Sequence, residues 1–196
     1  NGLIKLIWTP GTEHRLTLIG ETFDAELFTD ITSDVGTAFI RGVPTTTTAS
    51  TGDDERRRDR FSLHYSYTPE DALFHRYTFD AYSQSSETVQ HSEITRTAPS
   101  AFSRTRDSFF TQDTLGVLSQ IDFQFEGDVE HYLIAGFEWQ ETDSEALREG
   151  LTVEANSGTE IPEFSVFPAR DFPISTLSEF ALYIQDEIQL LKGKLL

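Results

Sequence analysis

The sequence contains no cysteine and no methionine. Without cysteine there is neither a disulfide framework nor a thiolate metal site, which suits export through an oxidising compartment. Without an initiator methionine the chain is expected to be a processed or excised segment. No run reaches the eighteen or so apolar residues of a membrane helix, and the opening residues Asn1-Gly2-Leu3-Ile4-Lys5 do not read as a signal peptide. Positive charge is scarce: 15 Lys and Arg stand against 33 Asp and Glu, for a net charge of −18. That balance argues against nucleic acid as a partner and against simple adsorption to an anionic lipid surface. His-Glu-x-x-His, Gly-x-Ser-x-Gly, the P-loop and Gly-x-Gly-x-x-Gly are all missing. Asp122 and Asp128 are too isolated to read as calcium ligands. The expectation is a chain that is not an enzyme, ligates no metal and keeps no permanently bound cofactor.

Aromatic residues are abundant for so polar a chain, with 16 Phe, 6 Tyr and 2 Trp. Four turn signals recur about sixty residues apart: Pro10-Gly11-Thr12-Glu13, Pro69-Glu70-Asp71, Gly127-Asp128-Val129-Glu130 and Lys192-Gly193-Lys194. Each lies between stretches of alternating apolar and polar residues. The cleanest is Phe61 to Thr68, where Phe61, Leu63, Tyr65 and Tyr67 oppose Ser62, His64, Ser66 and Thr68. After the Pro69 turn, Tyr77, Phe79 and Ala81 share a face opposite Arg76, Thr78 and Asp80. An Arg and an Asp on one face suit a wet lumen. Val117, Ile121, Phe123 and Phe125 repeat the pattern, followed by Leu133, Ala135, Phe137 and Trp139. Leu3 to Thr9 is expected to pair with His14 to Asp24, where Ile19 and Phe23 blur the alternation. Ser178 to Leu190 reads as a further strand. Between the tight turns run long polar excursions, Ala25 to Arg58, Thr88 to Thr105 and Thr142 to Thr176, which read as loops without internal structure. Long strand, long polar loop, long strand and tight turn is the pattern of a transmembrane β-barrel, with aromatic girdles at the lipid interfaces. The expected fold is therefore all-β: an antiparallel transmembrane β-barrel segment of about seven to eight strands, with short periplasmic turns and long extracellular loops. A soluble β-sandwich would instead show shorter strands and turn signals every eight to twelve residues.

The segment Phe180-Ala181-Leu182-Tyr183-Ile184-Gln185-Asp186-Glu187-Ile188 resembles the barrel-strand signature of TonB-dependent outer-membrane receptors. Phe167-Pro168-Ala169-Arg170-Asp171-Phe172-Pro173, Lys5-Leu6-Ile7-Trp8-Thr9-Pro10 with His14-Arg15-Leu16-Thr17-Leu18, and Arg60 to Pro69 are similar to the heme and hemoglobin receptor branch. The resemblance runs through the strands and turns of essentially the whole chain and makes residues 1–196 part of such a barrel domain. It implies a 22-stranded barrel in the outer membrane of a Gram-negative bacterium, with the plug domain and remaining strands outside this chain. Its partners would be outer-membrane lipid, heme or a hemoglobin-like protein, and the TonB complex, reached through an N-terminal region that is missing here. The Phe-Arg-Ala-Pro and Asn-Pro-Asn-Leu boxes of the heme branch are absent, as is a terminal aromatic residue. The implied function is binding of heme or a heme protein at the cell surface and import of heme or its iron with TonB-derived energy. The alternatives are the same architecture serving a ferric siderophore or another nutrient, and a passive porin.

Heme iron is held axially by His or Tyr. His14 and His131 sit beside tight turns, and His64 and His75 within or near strands. His91 falls in an expected outer loop and is the candidate heme contact, against the plainer reading of a solvated loop side chain. Tyr82 and Tyr183 read instead as interfacial girdle residues. The one basic run, Arg56-Arg57-Arg58 with Arg60, could meet heme propionates. Flanking Asp53, Asp54, Glu55 and Asp59 make it locally neutral. The third excursion is acidic through Glu145, Glu149, Glu154, Glu160 and Glu163, against Arg148 and Arg170. It reads as solvation, or as a docking surface for a basic protein.

Overall fold

The structure, a computed structural model, describes residues 1–125, 130–163 and 169–189. Nine strands form a single antiparallel sheet among these residues. They are β1 (Gly2–Trp8), β2 (His14–Asp30), β3 (Gly36–Ile40), β4 (Val43–Tyr67), β5 (Arg76–Ala98), β6 (Phe102–Phe125), β7 (Glu130–Glu154), β8 (Glu160–Pro162) and β9 (Ala169–Gln189). The long strands follow one another as a meander, β1-β2-β4-β5-β6-β7-β9, while β3 and β8 are short partners within the long connections. Tight turns join β1 to β2 and β4 to β5 at one end of the sheet, and the long connections all lie at the other. Of the four turn signals, most of the third and all of the fourth, with the eighth strand expected after it, lie outside the described residues.

The excursions differ from the sequence reading in one respect. They continue the strands instead of leaving them. β4 and β5 stay paired from Tyr67↔Tyr77 to Thr46↔Ala98, and β6 and β7 from Phe125↔His131 to Phe102↔Glu154. Only residues 99–101 separate β5 from β6. The first excursion folds into its own hairpin, β3 on β4, turning at Arg41 and Gly42, both at positive φ (50° and 81°). Two positive φ values in a two-residue turn match the natural twist of a hairpin. The cause of the misreading is chemical. Where both faces of a strand are wet, Thr, Ser, Asp and Glu occupy both, and no apolar alternation marks the strand. A strand of 25 residues such as β4 spans about 80 Å, against the ten or so residues needed to cross hydrocarbon.

Near the tight-turn end the register separates the two faces cleanly. One face aligns Trp8, Leu16, Tyr65 and Phe79 across β1, β2, β4 and β5, and Val117, Trp139 and Phe180 across β6, β7 and β9. The other aligns Thr17, His64 and Asp80, and beyond them Gln120, Gly136 and Tyr183. Ile19 and Phe23, which blur the pattern in β2, lie on this second face opposite Ser62 and Arg58. Exposure is the reverse of that in a water-soluble sheet. Ile4, Leu6, Phe61, Phe180, Leu182 and Ile184 are all more than half exposed, while Thr17, Thr78, Asp122 and Thr142 on the polar face are buried. Apolar surface left open over a polar, buried opposite face is the arrangement of a barrel wall in lipid. We call the apolar face outward and the polar face inward. No described strand pairs with the free edges of β1 and β9, so the sheet is an arc of a wall that needs more strands to close. Each unpaired backbone group in hydrocarbon costs several kcal/mol.

Expressed alone in water, the 196-residue chain is expected to aggregate and to dissolve only with detergent; a monodisperse monomer unfolding cooperatively without detergent would contradict the assignment of faces. In the lipid-embedded barrel, Phe137→Arg on the outward face should cost about 2–4 kcal/mol in urea unfolding, and Glu138→Arg beside it less than about 1 kcal/mol.

Candidate ligand-facing wall

The inward face carries two polar clusters at the height of the outward apolar band. The Tyr82 hydroxyl donates to Gln140 Oε1 (2.6 Å) across Gly116, the residue directly opposite Tyr82 on β6. One strand pair on, the Tyr183 hydroxyl donates to Gln120 Oε1 (3.0 Å) across Gly136. Gln120 Nε2 donates to Asp122 Oδ1 (2.7 Å), whose second oxygen accepts from the Tyr132 hydroxyl (3.2 Å). The glycines make this possible. A Cβ at Gly116 would sit 2.5 Å from the Tyr82 ring, and one at Gly136 would collide with the Tyr183 hydroxyl. Each ring lies flat along the wall over a missing side chain. The girdle reading of Tyr82 and Tyr183 is thereby overturned: both point inward, and the glycine across the strand is the signal that reveals it. The girdle belongs to His14 and Tyr65, joined at 2.9 Å, with the His14 ring stacked 4.5 Å from Tyr67, all on the outward face by the tight turns.

Between the rows of these two clusters, His64 Nδ1 lies 2.7 Å from Asp80 Oδ1 in the directly opposite position. A carboxylate on one ring nitrogen fixes the orientation of the ring and leaves Nε2 for another partner. His91 is placed differently from expectation. It belongs to β5, not a loop, on the outward face between Asp53 and Asp107, with Nδ1 2.6 Å from Asp107 Oδ1. His131 is also outward, 2.9 Å from Asp186. His64 is thus the inward-facing histidine among the described strand residues. No group of three or more His, Asp or Glu able to hold a metal ion occurs among the described residues.

Above the apolar band, strand alternation sends most arginines inward and most carboxylates outward. The basic run of β4 is split: Arg57 faces outward beside Asp59 (3.1 Å) and Asp24 (4.0 Å), while Arg56, Arg58 and Arg60 face inward. Arg58 is paired with Glu21, and Arg60 lies 5.0 Å over the Tyr82 ring. Arg104, Arg106 and Arg148 face inward on β6 and β7. At the same height the outward face carries Glu55, Glu87, Asp113, Asp143 and Glu145. A net charge of −18 therefore conceals an inner wall rich in arginine. The acidic excursion divides in the same way. Glu149 faces outward opposite Asp107, but Glu163 folds back over Gly150 to the inward side. There it accepts a two-pronged ion pair from Arg106, with Nε to Oε2 at 2.8 Å. The Arg106 bond first, then the charges of Arg106, Arg104 and Arg148, hold the Glu163 carboxyl below its usual 4.5. Because that value is depressed on folding, the pair stabilises the outer connection above pH 4.5 and the contribution fades as pH falls through the lowered value.

A family model described as TonB dependent receptor-like, beta-barrel, matches residues 8–196. No curated protein matches the chain.

Gly116→Val should destabilise the lipid-embedded barrel by about 1–3 kcal/mol, because the Tyr82 ring must leave its seat. Gly20→Ala, at a position with open space around the added Cβ, should change urea unfolding by less than about 0.5 kcal/mol.

Proposed function

Because this chain belongs to the family of TonB-dependent receptor β-barrels, whose members are transport receptors of the Gram-negative outer membrane, we propose that it forms part of the wall of a receptor that captures heme or a heme protein. Heme or its iron would then be imported with TonB-derived energy. The remaining strands and a plug would come from sequence beyond this chain. Heme is the transported ligand, not a resident cofactor. In the family's orientation the tight turns face the periplasm and the tall hairpins the cell exterior.

The observation that carries this reading is the division of the sheet between an apolar outward face and an inward face of His, Tyr, Arg and carboxylate groups. Heme needs an axial His or Tyr for its iron and cations for its propionates. The inward wall supplies His64, oriented by Asp80, with Tyr82 beneath Arg60 higher up. His91 faces outward, so it would meet a heme protein docked against the outside of the extracellular hairpins, not heme within the lumen. A ferric siderophore is the second reading. The inward arginines favour any anionic chelate, and ligand choice within one barrel architecture is set by the local site.

The test is a heme titration of the intact receptor in detergent, followed at the Soret band, with a ferric siderophore in parallel. We expect a saturable Soret shift that weakens at least fivefold in His64→Ala. Weakening in His91→Ala only when hemoglobin replaces free heme would add an external contact. No Soret shift, with saturable quenching by the siderophore, would transfer the function to the second reading.

A further inference from the structure

The outward face is unevenly filled at the upper edge of the apolar band. In its last apolar row, Ile4, Phe61 and Leu115 stand on β1, β4 and β6, with Gly20 and Ser83 between them on β2 and β5. Ile4 is 77% exposed and Phe61 55%. A Cβ added at Gly20 would meet nothing within 4 Å. The result is a cleft of about 460 Å³, lined by Ile4, Gly20, Phe61 and Ser83, with Thr22 and Asp59 at its upper lip. That volume lies within the range of small-ligand sites. Hydrocarbon offers no water to fill such a space. Left empty, the cleft would deprive its lining of dispersion contacts. On this face an acyl chain is what fills it.

The lip above selects the headgroup. Asp113 stands in the same row as Asp59, opposite Ser85. One row higher, Asp24 and Glu87 flank Arg57 on either side. Arg57 is the one cation of these two rows among the described residues, and it is already engaged by Asp59 (3.1 Å) and Asp24 (4.0 Å). Glu87 and Asp113 are exposed and take part in no ion pair among the described residues. We propose that the cleft is a binding site for one phospholipid whose headgroup carries an ammonium group. Its acyl chain would lie over Gly20 between Ile4 and Phe61, and its ammonium would meet the carboxylates of the lip. An ammonium supplies three donors, and attraction at the margin of hydrocarbon is stronger than in bulk water. A lipid of net negative charge would bring a further anion to the same carboxylates. The site depends on the assignment of the outward face to lipid and is independent of the transported cargo.

Native mass spectrometry of the intact receptor tests this, after equilibration in detergent with either phosphatidylethanolamine or phosphatidylglycerol of the same chains. The native receptor should retain one phosphatidylethanolamine, and phosphatidylglycerol about fivefold less. Gly20→Phe fills the cleft and should lower phosphatidylethanolamine retention at least fivefold. Leu182→Phe, on the same face but on β9 and away from the cleft, should leave it unchanged. Glu87→Lys combined with Asp113→Lys should reverse the preference between the two lipids, and raising salt should narrow the preference in the native receptor. Both lysines stand on exposed positions, so this variant decides the matter if Gly20→Phe does not fold. Equal retention of the two lipids by the native receptor would overturn the site. So would equal losses in Gly20→Phe and Leu182→Phe, which would mark general contact with the bilayer. Preferential retention of lipopolysaccharide over phosphatidylethanolamine, or a preference untouched by the paired lysines, would overturn it as well.

Discussion

The peptide group cannot be left unpaired in hydrocarbon, and everything else in this chain follows from that. An open N–H or C=O in lipid costs several kcal/mol, so a wall of strands must pair continuously along its height. The register from Tyr67↔Tyr77 inward to Phe61↔Ser83, and its counterparts on either side, is that continuous pairing. Once it is imposed, the two-residue period of a strand assigns every side chain to one of two solvents. The apolar band, the inward polar clusters and the division of charge above the band are one alternation read at different heights.

What the sequence discloses depends on whether those two solvents differ. Beside lipid they differ greatly, and Phe61, Leu63, Tyr65 and Tyr67 stand out against Ser62, His64 and Ser66 at first reading. Above the band both faces meet water, so Thr88 to Thr105 and Ala25 to Arg58 carry no contrast although the backbone there is equally strand. Arg41-Gly42 was the available sign, a two-residue turn between β-favouring segments. His91 was misplaced for the same reason. The Tyr82 cluster was hidden for another: Tyr82 can lie inward only because Gly116 faces it, and Gly116 is 34 residues away in sequence but adjacent across β5 and β6. Glu163 looked like one more solvating acid in an acidic stretch. Its role emerges only when Gly150 and Arg106 are brought opposite each other.

The inward face also shows how a strongly acidic chain can present a basic interior. Bulk composition averages over two surfaces that never meet. Strand alternation sends Arg57 outward and Arg56, Arg58 and Arg60 inward within a single run of five residues. An acidic exterior above the membrane and an arginine-lined interior give opposite fields on the two sides of one sheet.

Alternation carried unbroken through strands of up to 25 residues has an evolutionary corollary. Inserting or deleting a single residue in the upper part of a strand would turn every position beyond it inside out, exchanging carboxylates for arginines along the rest of the hairpin. Changes in steps of two would preserve the phase. Slips are tolerated where the ladder already breaks step, between Thr46 and Ala49 in β4 and between Ser144 and Leu147 in β7. Length variation among descendants of this chain should therefore be quantised in pairs along the paired walls, and odd-numbered changes should gather at those two irregularities and at the tips.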